Sequence, residues 1–204
     1  CEVTGPHFER ITSFYAIIEH DTAIIEMASG AGLPLVGDDL RTHKATTYGV
    51  GELILDAAHR GVKKIIIGLG GSATTDGGGG AACAAGISFY DKEGNTFIPT
   101  GETLAQIANI DISTKNSILD GIEIVTMCDI DNPLYGESGA AYVFGPQKGA
   151  DDDMVLVLDA ALHHLSDVVT HDCHVDIAHL PGAGQPVQFH HGAGGDPVVG
   201  GAFA

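Results

Sequence analysis

The chain has 204 residues, nine Lys plus Arg against 27 Asp plus Glu, and a formal net charge of −18. It has no means of neutralising a run of phosphates, which excludes nucleic acid and an anionic membrane surface as partners. With 44% hydrophobic but 6% aromatic residues, no Trp and 29 Gly, the core must be aliphatic and the turns tight, which favours α/β layers over a β-sandwich.

Residues 11–28 predict two strands, "ITSFYAIIE" and "TAIIEMA", joined by a turn at His20 and Asp21. From Ser29 to Thr47 the pattern breaks into Gly, Pro and Asp, which predicts a loop with a short helix. "YGVGELILDAAHRG" predicts a helix capped by Thr46 or Thr47 and stopped at Gly61, with Leu53, Ile54, Ala57 and Ala58 as its apolar stripe. "VKKIIIGL" is a buried strand, followed by a glycine-rich loop and a short Ala-rich helix ending at Gly86. "ISFYDKEGNTFIP" predicts a hairpin turning at Gly94 and Asn95, and Thr100 predicts a helix cap with the helix running through Asn109.

"GIEIVTMC", 121–128, lacks polar alternation, so both its faces are expected to be covered. A loop over 129–150 follows. "DDDMVLVLDAALHHLSDVV" is the clearest helix, with Asp residues at its positive end and Met154, Val155, Leu158, Ala161, Leu162 and Leu165 as its stripe. Residues 1–180 are expected to form one α/β domain with a mostly parallel sheet and helices on both faces. The Gly/Pro-rich stretch 181–204 is expected to be an irregular tail. No apolar run of 18 residues and no signal-peptide pattern is present. The scattered Cys1, Cys83, Cys128 and Cys173 fit a reducing cytoplasm.

The stretch "IIIGLGGSATTDGGGG" carries the most chemistry. Gly68-x-Gly70-x-x-Ala73 matches a dinucleotide fingerprint after a strand, with Asp91 as a candidate ribose-binding acid, so an NAD-type oxidoreductase is one alternative. Against it, the helix would have to absorb Gly77 to Gly80, each costing ~1 kcal/mol relative to Ala. A phosphate-binding loop of the G-x-x-x-x-G-K type is excluded, because the nearest lysine, Lys64, precedes the loop. A cradle of backbone N–H groups for phosphate or carboxylate oxygens remains, with hydroxyls from Ser72, Thr74 and Thr75. A packing turn is the structural alternative.

In "MCDIDNPLYG", Asp129 and Asp131 lie two apart at the end of a strand, with Asn132 beside them. That pattern suits Mg²⁺, and a solvated Asp-rich turn is its alternative. Lys148, in a loop before a capped helix, can meet a phosphate as a point charge. Glu26, ending its strand, is a candidate polar anchor or base. His171, Cys173 and His174 invite zinc but match no ligand spacing with a second half elsewhere.

In their order and spacing, "AIIEMASGAGL", "ATTYGVGELI", "IIIGLGGSATTDGG" and "CDIDNPLYGESGAAYVFGPQKGAD" resemble the bacterial-type glycerate kinase family, from about Val3 to about Gly184. The resemblance implies a three-layer, flavodoxin-like α/β/α domain from a two-domain architecture about twice this length. Thr75 stands where the family commonly has Asn, and the sequence after Gly184 departs from the family's pattern. The implied reaction is ATP-dependent phosphorylation of D-glycerate, with Mg²⁺ and with 2-phosphoglycerate favoured as product. Carried over by motif, Gly70, Gly71, Ser72, Thr74 and Asp76 go to phosphate or glycerate oxygens. Asp129, Asp131 and Asn132 go to the metal or substrate hydroxyls, and Lys148 to transition-state charge.

Overall fold

The computed structural model describes residues 1–127 and 130–178. It opens with an antiparallel ribbon, β1 (Glu2–Thr4) with β2 (Arg10–Thr12), which buries Val3. β3 (Ala16–Ile18) and β4 (Thr22–Glu26) form a hairpin whose turn holds Glu19 and His20 at φ 50° and 69°. The strand expected over 11–19 is therefore split. Through Ser13, whose N–H bonds the Cys1 carbonyl and whose hydroxyl bonds the Ser29 carbonyl, the first part stays with β1, while residues 16–18 pair with β4.

Two short helices follow directly, α1 (Met27–Ala31) and α2 (Leu33–Val36), so Met27 and Ala28 are helical and not strand. After the predicted helix α3 (Tyr48–His59), β5 (Lys64–Gly68) enters the sheet between β4 and the later β8 (Glu123–Met127). The sheet order is β3-β4-β5-β8, with β4, β5 and β8 parallel. Ile65 and Ile67 of β5 are fully buried and pack with Ile25, Val50, Leu53 and Ala57, so one face of the sheet lies against α3.

α4 (Gly79–Ala84) crosses α3 closely. A Cβ at Gly51 would lie 2.6 Å from the Ala84 Cβ and 2.9 Å from the Ala81 Cα, so only glycine permits this approach. A second core forms around β6 (Ser88–Tyr90), its antiparallel partner β7 (Asn109–Asp111), α5 (Ala140–Phe144) and α6 (Asp152–Cys173). Asp151 caps α6 by accepting the Met154 N–H, and Val155, Leu158, Ala161, Leu162 and Leu165 are buried as expected.

Three expectations fail here. The helix from Thr100 through Asn109 shrinks to a single tight turn over Leu104–Gln106. Its continuation is captured by the Ala108 N–H bonding the Tyr90 carbonyl, which draws 109–111 into β7. The hairpin over 87–98 does form, with its turn at Gly94 and a short pairing of Tyr90 with Thr96. That pairing is flanked by the Asp91 N–H on the Asn95 carbonyl and the Phe97 N–H on the Phe89 carbonyl, while β7 pairs with the opposite edge of β6. β8 has Ile124 buried but Met127 59% exposed, so in the described structure it is not covered on both faces, and it stands at the end of the strand order. The segment expected as loop contains α5 and a 3₁₀ turn over Pro146–Lys148. Cys128, Asp129 and the expected tail 181–204 lie outside the described residues. Among those described, no helix is long and apolar enough to cross a membrane.

Candidate active site

The parallel strands finish in register: Glu26 pairs with Gly68, and Gly68 with Met127. Three segments therefore leave the sheet side by side at its carboxyl end, where ligands of open α/β sheets collect. Between the other two runs the loop 69–78. Its first residues are stitched to α1 and α2, with the Leu33 N–H bonding the Gly71 carbonyl at 2.9 Å and the Ala73 N–H bonding the Ala31 carbonyl at 2.8 Å. Gly70 and Gly71 stay exposed, and their N–H groups find no acceptor among the described residues. Gly71 holds φ +74°, a conformation L side chains rarely adopt.

The deeper half of the loop is buried and built on two charges. Lys148 is 5% exposed, and its Nζ donates to Ser72 Oγ at 2.9 Å and to the Thr74 carbonyl at 2.6 Å. One N–H of the ammonium is left over. Burial pushes its pKa down to about 8, against the attraction of the Asp76 carboxylate. No carboxylate among the described residues lies within ion-pair distance of this nitrogen.

Asp76 is 1% exposed. One carboxylate oxygen accepts the Gly78 N–H at 3.1 Å. The other accepts the Thr47 N–H and hydroxyl, both at 2.8 Å, and the Gly80 N–H at 3.2 Å. Burial raises its pKa while these four donors pull it back. The Thr47 hydroxyl in turn accepts the Ala81 N–H at 2.9 Å. Asp76 thus ties the start of α3 to the start of α4. Its oxygens accept from groups of the loop and of both helix starts, so in this geometry Asp76 fixes the shape of the loop.

The structure thus joins Gly70, Gly71, Ser72, Thr74, Asp76 and Lys148 in one connected loop. Glu26 is exposed one strand away. Asp131 is exposed beyond β8, and Asn132 donates its side-chain N–H to the Ser138 carbonyl at 2.8 Å, leaving its oxygen open. Among the described residues neither hydrogen-bonds the glycine loop, and Asp129 lies outside the described residues. Sequence reasoning missed the roles of Thr47 and of Thr42, whose Oγ lies 2.6 Å from Thr75 Oγ in the interior. The threonine pair 46–47 was legible as a helix cap. Thr46 does accept the Tyr48 N–H, but Thr47 spends its hydroxyl on Asp76.

Two alternatives fall. The dinucleotide fingerprint needs a helix opening at its glycines, whereas here α4 begins only at Gly79 and Ala73 lies in the loop. Asp91 is spent on its own turn, accepting the Glu93 and Asn95 N–H groups, and β6 belongs to a separate sheet. Among the described residues no three His, Cys, Asp or Glu are placed to share a metal, which removes the zinc reading of His171, Cys173 and His174.

The sequence model of the Glycerate kinase family matches residues 1–188. The chain is 45% identical over 184 residues to a glycerate kinase of Bacillus cereus and 44% identical over 184 residues to a glycerate 2-kinase of Escherichia coli. Each match covers 89% of this chain and 48% of the relative. A crystal structure described as a glycerate kinase 2 from Salmonella typhimurium LT2 superposes with a TM-score of 0.87 at 43% identity, covering 89% of this chain and 49% of that one. The chain spans about half the length of the curated relatives it matches.

Proposed function

We propose that this chain, which belongs to the glycerate kinase family, carries the phosphoryl-transfer site of an enzyme that moves the γ-phosphoryl group of ATP to a hydroxyl of D-glycerate in the cytoplasm, with 2-phosphoglycerate favoured as product. The observation that carries this reading is Lys148. A buried ammonium without an ion pair is costly, and with a pKa of about 8 this one is still charged at neutral pH, so an anion brought to it offsets that cost. The nine-cation chain holds this one beneath a loop whose exposed Gly70 and Gly71 N–H groups have no acceptor among the described residues.

Phosphoryl transfer asks a protein mainly for positioning and for stabilisation of oxygens that carry charge. Gly70 and Gly71 donate backbone N–H groups to those oxygens. Ser72 Oγ, which accepts from Lys148, is thereby left to donate its own proton outward. Thr74 presents its carbonyl to the ammonium and so fixes its height below the loop. Asp76 holds the loop in shape through Thr47, Gly78 and Gly80.

The oxygen donors beyond β8 fit Mg²⁺, since Asp131 is exposed and the Asn132 side-chain oxygen is open. Asp131, Asn132 and Asp129 would hold the ion, which when bound neutralises phosphate charge. Glu26, exposed at the end of β4, would serve as a polar anchor or base for the substrate. A three-layer, flavodoxin-like arrangement of the complete domain is part of the same reading.

The test is ADP release by the protein carrying this chain, with and without D-glycerate. We expect glycerate-dependent release that Lys148→Met abolishes. Release indifferent to glycerate, or a variant at the wild-type rate, overturns the reading.

A further inference from the structure

We propose that Arg41 is a second oxyanion-binding residue of this site, held by Asp39 in the free protein and handed to the ligand on binding. The inference rests on the kinase reading for the identity of the ligands, and on geometry for the residue.

A reaction that brings a hydroxy acid, with its carboxylate, together with a polyphosphate needs positive charge at the carboxyl end of the sheet, and this chain has nine cationic side chains to offer. Lys63 and Lys64 stand at the opposite end of β5. Arg10, Arg60 and Lys115 pair with Glu52, Asp56 and Asp120, and Lys92 sits in the turn after β6. Lys148, Arg41 and Lys44 remain. Of these, Lys148 touches the glycine loop directly.

Arg41 is anchored through its two neighbours, one to the glycine loop and one to the segment that carries Lys148. The hydroxyl of Thr42 meets that of Thr75 at 2.6 Å, in the interior. Leu40 lies against Gly149, the residue after Lys148: a Cβ on Gly149 would come within 2.5 Å of the Leu40 carbonyl oxygen. The backbone around Arg41 is therefore pinned on one side to the loop and on the other to its lysine. His7 adds a third fastening, its Nε2 lying 3.0 Å from the Asp39 carbonyl oxygen.

Among the described residues the guanidinium itself hydrogen-bonds Asp39 alone. It makes a forked contact with Asp39, Nε to Oδ1 at 2.8 Å and Nη2 to Oδ2 at 2.5 Å, and both side chains are largely exposed. That fork is the geometry in which arginine binds a substrate carboxylate or a phosphate. An exposed pair of this kind contributes little net stability, so an incoming oxyanion can displace Asp39 at small cost.

The two oxyanion sources are the glycerate carboxylate and the ATP phosphates, and the experiment separates them. Wild type, Arg41→Ala, Asp39→Asn and the double variant are titrated calorimetrically with D-glycerate, with ATP and with inorganic phosphate, and their KM values for glycerate and ATP are measured. Removing Arg41 should weaken one of these ligands roughly tenfold to hundredfold, as for a lost charge-assisted hydrogen bond. Asp39→Asn should strengthen the same ligand a few-fold, and should do so only while Arg41 is present, which is the coupling a double-mutant cycle reads. An effect on glycerate alone assigns the carboxylate, and an effect on ATP and phosphate assigns the phosphates.

Unchanged affinities in Arg41→Ala overturn the proposal, as does an Asp39→Asn gain that persists without Arg41, since that would be general charge relief. This coupling with phosphate, in a protein whose wild type releases no ADP, sinks the kinase reading and leaves Arg41 in place. Turnover without coupling does the reverse.

Discussion

Replacing Lys148 by Met tests the buried ammonium by its effect on stability as a function of pH. Burial lowers the folded-state pKa of Lys148 from 10.5 to about 8. Between those two values the unfolded chain binds more protons than the folded one, so this residue's contribution to stability rises with pH. Below pH 8 the wild type carries the full cost of a buried charge. At pH 10 most of that cost has gone, which at about 1.4 kcal/mol per pKa unit amounts to roughly 2 to 3 kcal/mol. Tyr15, raised to about 12, and Cys173, raised to about 11, titrate nearby with the opposite slope, but they do so in both proteins and cancel in the difference. Urea unfolding of wild type and Lys148→Met, under reducing conditions from pH 7 to pH 10, should show the wild-type midpoint gaining on the variant by roughly 1 M for an m-value of ~2 kcal/mol/M. A difference that stays flat across this range would show that Lys148 is not desolvated, and the argument from an uncompensated buried cation would fail with it.

Two further outcomes follow from the same geometry. Asp76→Ala leaves the Thr47, Gly78 and Gly80 donors without their acceptor in the interior, and should cost ~3 kcal/mol or more in urea denaturation, with Asp76→Asn costing less. A loss below ~1 kcal/mol would show that water replaces the carboxylate and that the α3–α4 tie is incidental. Gly71→Val forces a β-branched side chain into φ +74°, with its Cβ about 3.4 Å from that of Ala28. Stability should fall by ~1–2 kcal/mol, and D-glycerate and ATP binding measured by calorimetry should fall well beyond what the lost stability explains. Binding at wild-type affinity would reduce the loop to a packing turn.

What the sequence made legible is what short range decides. The isoleucines of 65–67 and the stripe of α6 fix their burial by pattern alone, and the glycine-rich stretch after β5 announces a backbone exposed to ligand. The helix expected from Thr100 failed because its last residues had a better partner in Tyr90, some 18 positions earlier, and pairing of that kind has no local signature. β8 has an apolar pattern like that of β5, yet the described structure leaves its outer edge uncovered. An apolar run reports that a strand can be buried on two faces, while the neighbours decide whether it is.

The same distinction separates the parts of the site. Ser72, Thr74 and Lys148 were recognisable as residue types suited to phosphate, but 74 and 76 residues separate Lys148 from its two acceptors, so nothing in the sequence placed it beneath the loop. Thr47 shows how the two ranges compete. A threonine preceding a helix ordinarily spends its hydroxyl on the N–H groups of that helix. Here Asp76 offers a buried carboxylate, a stronger acceptor that needs donors more urgently than the exposed end of a helix does. Thr47 therefore gives both its backbone N–H and its hydroxyl proton to Asp76, takes the Ala81 N–H in return, and leaves Thr46 to serve the first turn of α3. One aspartate thereby fixes where two helices begin, and the loop that runs between β5 and α4 takes its shape from that constraint.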